Sequence, residues 1–233
     1  GAGRGRERPA SATVDAARGG SEMDTFWEQW KTVWREMEAI AKKRGWDLTP
    51  LSIDPPASGV EIRALEARFG MKVPPQLRVL LTQYSKRVTF GWYIPSHLRA
   101  MEKQNFPNMS ANRNAIWDIA HIAEYAIPNF LGWKRDLATR DLSEAPNSPE
   151  IWDNQFPFYS LTNGDMLTID MRKAEGPHPV RYFSHDLETI HGLALAPDFN
   201  TFVSEMAKLG CAGTEWWSWT RFSDGQKDDT FYI

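Results

Sequence analysis

Cysteine is nearly absent from the chain: Cys211 is the single one among 233 residues. A lone cysteine excludes an internal disulfide framework and any cysteine-cluster metal site, and it fits a reducing compartment. Long apolar runs are missing too. No stretch approaches the roughly 18 residues of a membrane span, and no apolar leader core stands near the N-terminus, so a cytoplasmic setting with no membrane partner is expected. Charge of one sign is also lacking. Lys and Arg number 27 against 30 Asp and Glu, for a net charge of −3. Residues 1–20 carry Arg4, Arg6, Arg8 and Arg18 against Glu7 and Asp15, a net of +2 that leaves −5 for the rest. That balance disfavours nucleic acid and favours a basic protein partner.

The motifs of common enzyme classes are absent as well. There is no Gly-x-Ser-x-Gly elbow, no phosphate-binding glycine loop and no dinucleotide fingerprint. The histidines are His97, His121, His178, His185 and His191, and no two stand at metal-ligand spacing. His185 and Asp186 are adjacent, which on a strand sends them to opposite faces. Asp165 and Asp170 lie five residues apart across a turn and a strand, a spacing that does not bring two carboxylates onto one face. No catalytic residue, metal or cofactor is expected.

What the chain does have is 11 tryptophans and a clear succession of patterned segments. Residues 1–22 lack an apolar period and read as a disordered basic tail. Phe26, Trp27, Trp30, Val33, Trp34, Met37, Ile40 and Ala41 recur at helical spacing and Gly45 closes them, which predicts an amphipathic helix over residues 23–46. Residues 46–56 contain prolines and read as a connector. Ser58 with Glu61 forms a capping box, Ile62, Leu65 and Phe69 make a buried stripe, and Gly70 suits a left-handed cap. Pro75 opens a second helix with the stripe Leu77, Leu80, Leu81 and Tyr84.

Beyond Tyr84, residues 88–94 read as a strand and residues 116–125 as a strand end followed by a short helix capped by Asp118. Residues 129–155 read as a surface insertion. Asn163-Gly164 predicts a type I′ hairpin. Leu167, Ile169 and Met171 alternate with Thr168, Asp170 and Arg172 as in a half-buried antiparallel strand, and residues 180–184 supply a third strand. Asp198 caps a last helix whose Phe199, Phe202, Val203, Met206 and Leu209 form its apolar stripe.

Two blocks carry a resemblance to a known family. Glu61, Leu65, Gly70, Val73-Pro74, Leu77 and Leu80-Leu81 resemble the N-terminal signature of the SUKH superfamily, the Smi/Knr type of cell-wall-assembly regulators and bacterial immunity proteins. Asn163-Gly164-Asp165, Leu167, Asp170, residues 180–186, Phe199 and Phe202 resemble that family's hairpin, following strand and C-terminal helix. The resemblance implies an α+β fold: a single SUKH-like domain over residues 47–222, with a mainly antiparallel sheet flanked by helices. An insertion at about 86–155 and a tail at 223–233 complete the organisation.

The resemblance also implies binding rather than catalysis. The first reading is an immunity protein that neutralises a cognate toxin, a basic enzyme domain, by occluding its active site. Trp92, Tyr93, Asp165, Asp170 and the flanking Glu188 are the residues expected to touch it. A second reading is a regulatory scaffold in which the basic tail and the Trp-rich helix do the binding. A third is a metal-dependent hydrolase using His185 with Asp165 or Asp170.

Overall fold

The computed structural model describes residues 12–102, 111–112, 115–137, 149–161, 163–185, 191–208 and 210–211. Helix α1 (Ala12–Arg44) buries Met23, Trp27, Trp30, Trp34, Met37 and Ala41, a 4-3-4-3-4 spacing that keeps one face inward over five turns. Lys42, Lys43 and Arg44 occupy its last turn, where cations complement the helix dipole. Gly45 at φ +70° then turns the chain, and the Trp46 amide donates to the Ala41 carbonyl at 2.9 Å. The helix starts well ahead of its apolar stripe. Residues 12–22, read from composition as disordered, are helical, and residues 1–11 lie outside the described residues.

The connector expected after α1 is instead strand β1 (Asp47–Ile53), paired antiparallel with β2 (Arg87–Tyr93). Pro50 conceals the strand from a pattern reading. It sits between Thr49 and Ser52, where the register shifts, and an outer strand at an irregularity is where a sheet tolerates proline. β3 (Ala111–Asn112) and β4 (Ala115–Asp118) both pair with β2 and complete a four-stranded sheet.

Between β1 and β2, α2 (Gly59–Phe69) begins with the predicted capping box. The Ser58 hydroxyl accepts from the Glu61 amide at 3.2 Å, and the Glu61 carboxylate accepts from the Ser58 amide at 2.8 Å. Gly70 ends the helix at φ +77° and donates to the Glu66 carbonyl. α3 (Pro75–Val79) runs on into one wide π turn (Leu80–Tyr84), burying Leu77, Leu80 and Leu81 completely.

After α4 (Ser96–Glu102), the region read as a surface insertion proves to be structural. Asp118 caps α5 (Ile119–His121) through the Ala120 amide. A second π turn (Ile122–Ala126) leads into α6 (Ile127–Leu137), and a 3-10 turn (Pro149–Trp152) follows. Trp117, Ile122, Ile127, Phe130 and Trp152 are all buried, so this segment builds core. Its apolar residues come in short runs, of which only Ile122, Ala126 and Phe130 keep a helical spacing.

The second sheet is an antiparallel meander of β5 (Gln155–Ser160), β6 (Met166–Asp170), β7 (Val180–Phe183) and β8 (Leu193–Ala196). Its first hairpin is present, but the turn is a five-residue loop closed by the Leu161 amide on the Asp165 carbonyl at 2.8 Å, with Gly164 at φ +97°. It is therefore not a two-residue type I′ turn. β6 is buried along its whole length. Met166 joins a cluster of Phe130, Ile151, Trp152 and Phe183 that covers the face expected to meet solvent. On the opposite side, α7 (Phe199–Lys208), capped by Asp198 through the Thr201 amide, sets Phe199 and Phe202 edge-on against Phe158. The architecture is α+β, as expected, with two antiparallel sheets rather than one.

Trp34 is fully buried with its ring against Trp27, Trp30 and Trp117. Trp34→Ala is expected to cost about 3–5 kcal/mol, and Ser58→Ala about 1 kcal/mol through the lost cap. Urea denaturation monitored by circular dichroism measures both.

Candidate interaction surface

Trp92, Asp165 and Asp170, expected at a partner surface, are interior residues. Trp92 is 1% exposed. Its indole donates to the Gly210 carbonyl at 2.8 Å and packs against Trp46 with centroids 5.1 Å apart. Its side chain is on the covered face of β2, while its neighbour Tyr93 points to the other face.

Asp165 is 2% exposed, and its carboxylate accepts from the Tyr182 hydroxyl, Asn163 Nδ2 at 2.7 Å, the His185 amide at 2.8 Å and His185 Nδ1 at 2.6 Å. The three donors from Tyr182 and His185 tie the hairpin loop to the end of β7, and Asn163 braces the loop from within. The structure thus unites Asp165 with His185, a pairing used elsewhere to orient a general base. Here the same carboxylate also organises the backbone of both loop and strand, and that is the role its bonds support.

Asp170 is 5% exposed and stands at the other end of β6, roughly 16 Å along the strand. Arg172 Nη2 and Arg181 Nε both reach it at 2.6 Å. Burial pushes its carboxyl up, but hydrogen bonds from Arg172 and Arg181 outweigh that and hold it at about 2. The two carboxylates therefore serve separate clusters. Glu188 lies outside the described residues.

Tyr93 alone among the described candidates is partly open. The Arg99 guanidinium lies over its ring, 5.0 Å from the centroid, and donates to its hydroxyl. Arg99 is exposed on α4, as is Met101 at 60%. Tyrosine and arginine are residue types that anchor protein interfaces.

A second exposed group escaped the sequence reading. Tyr125 (57% exposed) and Leu131 (44%) project from the helical segment spanning α5, the π turn and α6, with Glu124, Pro128 and Asn129 also exposed. Ile122, Ala126, Ile127 and Phe130 hold the segment's inner face. Tyr125 lies within the wide π turn, next to the inward Ala126 and about 100° round the helix from it. Beneath it the His121 ring is stacked between Tyr125 (5.4 Å, 25°) and Tyr159 (5.1 Å, 28°). His121 Nε2 accepts from the Ser160 amide at 3.1 Å, and Asn129 Nδ2 donates to the Ser160 hydroxyl at 3.3 Å. The continuing spacing of Ile122, Ala126 and Phe130 was the signal that could have revealed this helix.

Among the described residues no group of three His, Cys, Asp or Glu side chains could hold a metal, and no helix is long and apolar enough to cross a membrane.

Comparison with known proteins gives one family: the model described as SMI1 / KNR4 family (SUKH-1) matches residues 56–205. No curated protein and no solved structure matches.

The buried ionisable groups set the acid response. Burial pushes the His191 ring down to about 4 and His121 below its usual 6.5, so both are neutral in the fold. The unfolded chain then binds more protons below pH 6.5, and stability falls as pH drops from 6.5 toward 4. For His191 the full shift corresponds to about 3 kcal/mol. Asp170, lowered to about 2, contributes stability above about pH 4 that is lost toward pH 2. Urea midpoints measured from pH 7 to 3 are expected to decline in these two successive windows, and His191→Gln removes most of the first.

Proposed function

Since the chain belongs to the SMI1/KNR4 family (SUKH-1), we propose that it is a non-catalytic protein-binding domain, an immunity protein that neutralises a cognate toxin by covering its active site. The family match over residues 56–205 is the observation that carries this reading. The side-chain geometry supports it, because the polar groups that suggested chemistry are engaged in structural bonds while aromatic and apolar side chains remain on the outside.

In this proposal Tyr125 and Leu131 are the apolar anchors, with Tyr93 and Arg99 as a second contact. Trp92, Asp165 and Asp170 support the scaffold from within, and Glu188 is retained as a flanking charge. The partner is a basic enzyme domain. Acidic groups on this chain speed the encounter, and desolvated aromatics slow release. Action in the cytoplasm follows from that partner's need to be neutralised where its substrate is.

The reading in which the Trp-rich helix binds a partner as a regulatory scaffold is weakened by α1 itself. Trp27, Trp30 and Trp34 are buried in their own domain, leaving no aromatic stripe to offer.

Co-expression with the product of the adjacent gene is expected to protect growth and to give a stoichiometric complex on size-exclusion chromatography. A failure to protect growth together with a failure to form a complex, for every neighbouring toxin gene tested, would overturn the proposal. In such a complex Tyr125→Ala is expected to weaken binding about thirtyfold, within the 2 kcal/mol of an interface hot spot. Isothermal titration calorimetry reads that loss, and the unfolding midpoint is expected to stay near that of the parent because Tyr125 is largely exposed.

A further inference from the structure

Ser160 closes β5, which is an outer strand of the second sheet. An outer strand presents amides that no neighbouring strand takes up. Here the last such amide is taken by a side chain: His121 Nε2 accepts it at 3.1 Å. We infer that His121 is an acid-sensitive latch on this strand, closed while its ring is neutral and forced open when the ring takes a second proton.

Nε2 accepts the Ser160 N–H, so the single proton of the neutral ring sits on Nδ1. A second proton has no site except Nε2, where it would point at the Ser160 N–H and turn an acceptor into a donor. The bond cannot survive that change.

The ring is also clamped between Tyr125 and Tyr159, which opposes rotation to a new partner. Its surroundings resist the cation: burial lowers its affinity for a proton, and Asp118 on the preceding turn opposes that effect. Asp118 is itself shared, capping the Ala120 amide and acting on Lys86, and it pairs across the sheet with Arg87. Glu124 is exposed on the same helical segment. β5, with the sequence QFPFYS, brings no formal charge, and burial raises the Tyr159 phenol so that it stays neutral. From α6 the ring's neighbour is the uncharged Asn129, bonded to the Ser160 hydroxyl.

Opening the latch therefore frees an edge amide of β5. The inference holds whatever partner the domain binds.

Nuclear magnetic resonance of the full chain, labelled with nitrogen-15 and titrated from pH 8 to pH 4.5, tests it. The His121 ring is expected to titrate with a midpoint below 6.5, and the Ser160 amide resonance to move with that same midpoint. Protection of the Ser160 amide from exchange, corrected for intrinsic rate, is expected to fall roughly fivefold across the transition, the effect of losing one hydrogen bond. In His121→Gln the side-chain carbonyl accepts without titrating, so the Ser160 response is expected to disappear. In Asn129→Ala it is expected to persist. A His121 midpoint at or above 6.5, or a Ser160 amide that stays flat while His121 titrates, overturns the latch, and the wild-type titration decides this even where a variant fails to fold.

Discussion

The contact on which the rest of the structure depends is the seating of three indoles of α1 on Trp117. Trp27, Trp30 and Trp34 lie 6.1, 6.2 and 5.7 Å from it, centroid to centroid, in the tilted and edge-on arrangements that aromatic quadrupoles favour. Trp117 lies on β4, and its own N–H is satisfied by the Ser85 carbonyl at 3.1 Å. That carbonyl follows the π turn after α3, so a single side chain joins the N-terminal helix, the first sheet and the helix pair. Trp30 extends the connection to α7 by donating to the Ser204 hydroxyl at 2.9 Å. α1 and β1 precede the family-matched residues 56–205, yet they cover one face of the first sheet and supply one of its outer strands. The N-terminal segment is thus part of the domain's core rather than an appendage to it.

A second constraint explains why so many charged residues fail to reach the surface. Asp165 in the hairpin loop and Thr168 and Asp170 on β6 are buried away from water, and a buried carboxylate must be paired or hydrogen-bonded to be tolerated. Each one is. Glu66, nearly buried in α2, receives Lys72, Arg78 and the Val73 amide. Glu102 receives Arg44 at 2.7 Å and the Trp46 indole, tying α4 to the end of α1. The Glu102 pair joins elements remote in sequence, the Glu66 pairs brace the corner between α2 and α3, and removing one partner would strand a charge in the interior. Carboxylates that look available for recognition in the linear chain are therefore committed to joining its parts.

Legibility in the sequence followed the local physics. The capping box at Ser58, the left-handed Gly70, Pro75 at a helix start, Asp118 and Asp198 as caps, and the apolar stripe of α1 are all set by interactions within a few residues, and all stand where the pattern places them. The elements that stayed hidden are those whose reason is tertiary. β1 carries a proline that only a bulged outer strand accommodates. β8 offers just four residues, Leu193–Ala196, without a distinguishing alternation. β6 alternates polar and apolar residues as an exposed strand would, but Trp152 and Phe130, from a segment with no clean period, cover its polar face. The same failure moved the site. Trp92 and the two aspartates have the chemistry of an interface, whereas exposure is decided by which face another element occupies.

Tyr125 shows how a small backbone irregularity fixes where a surface lies. Ile122 and Ala126 within the π turn and Ile127 and Phe130 beyond it are buried, while Tyr125, next to Ala126, stands outward. The extra residue of the wide turn shifts the phase of the helix midway. The cost of that wider turn is offset where it meets β5, through the inward packing of Ile122 and Ala126 and the stack of His121 on Tyr159. The residues that make the irregularity tolerable are thus the ones beneath the exposed tyrosine, and they hold its ring on a rigid base. An anchor ordered before binding loses less conformational freedom on complex formation, so the physical device that accommodates the π turn also prepares the side chain above it for recognition.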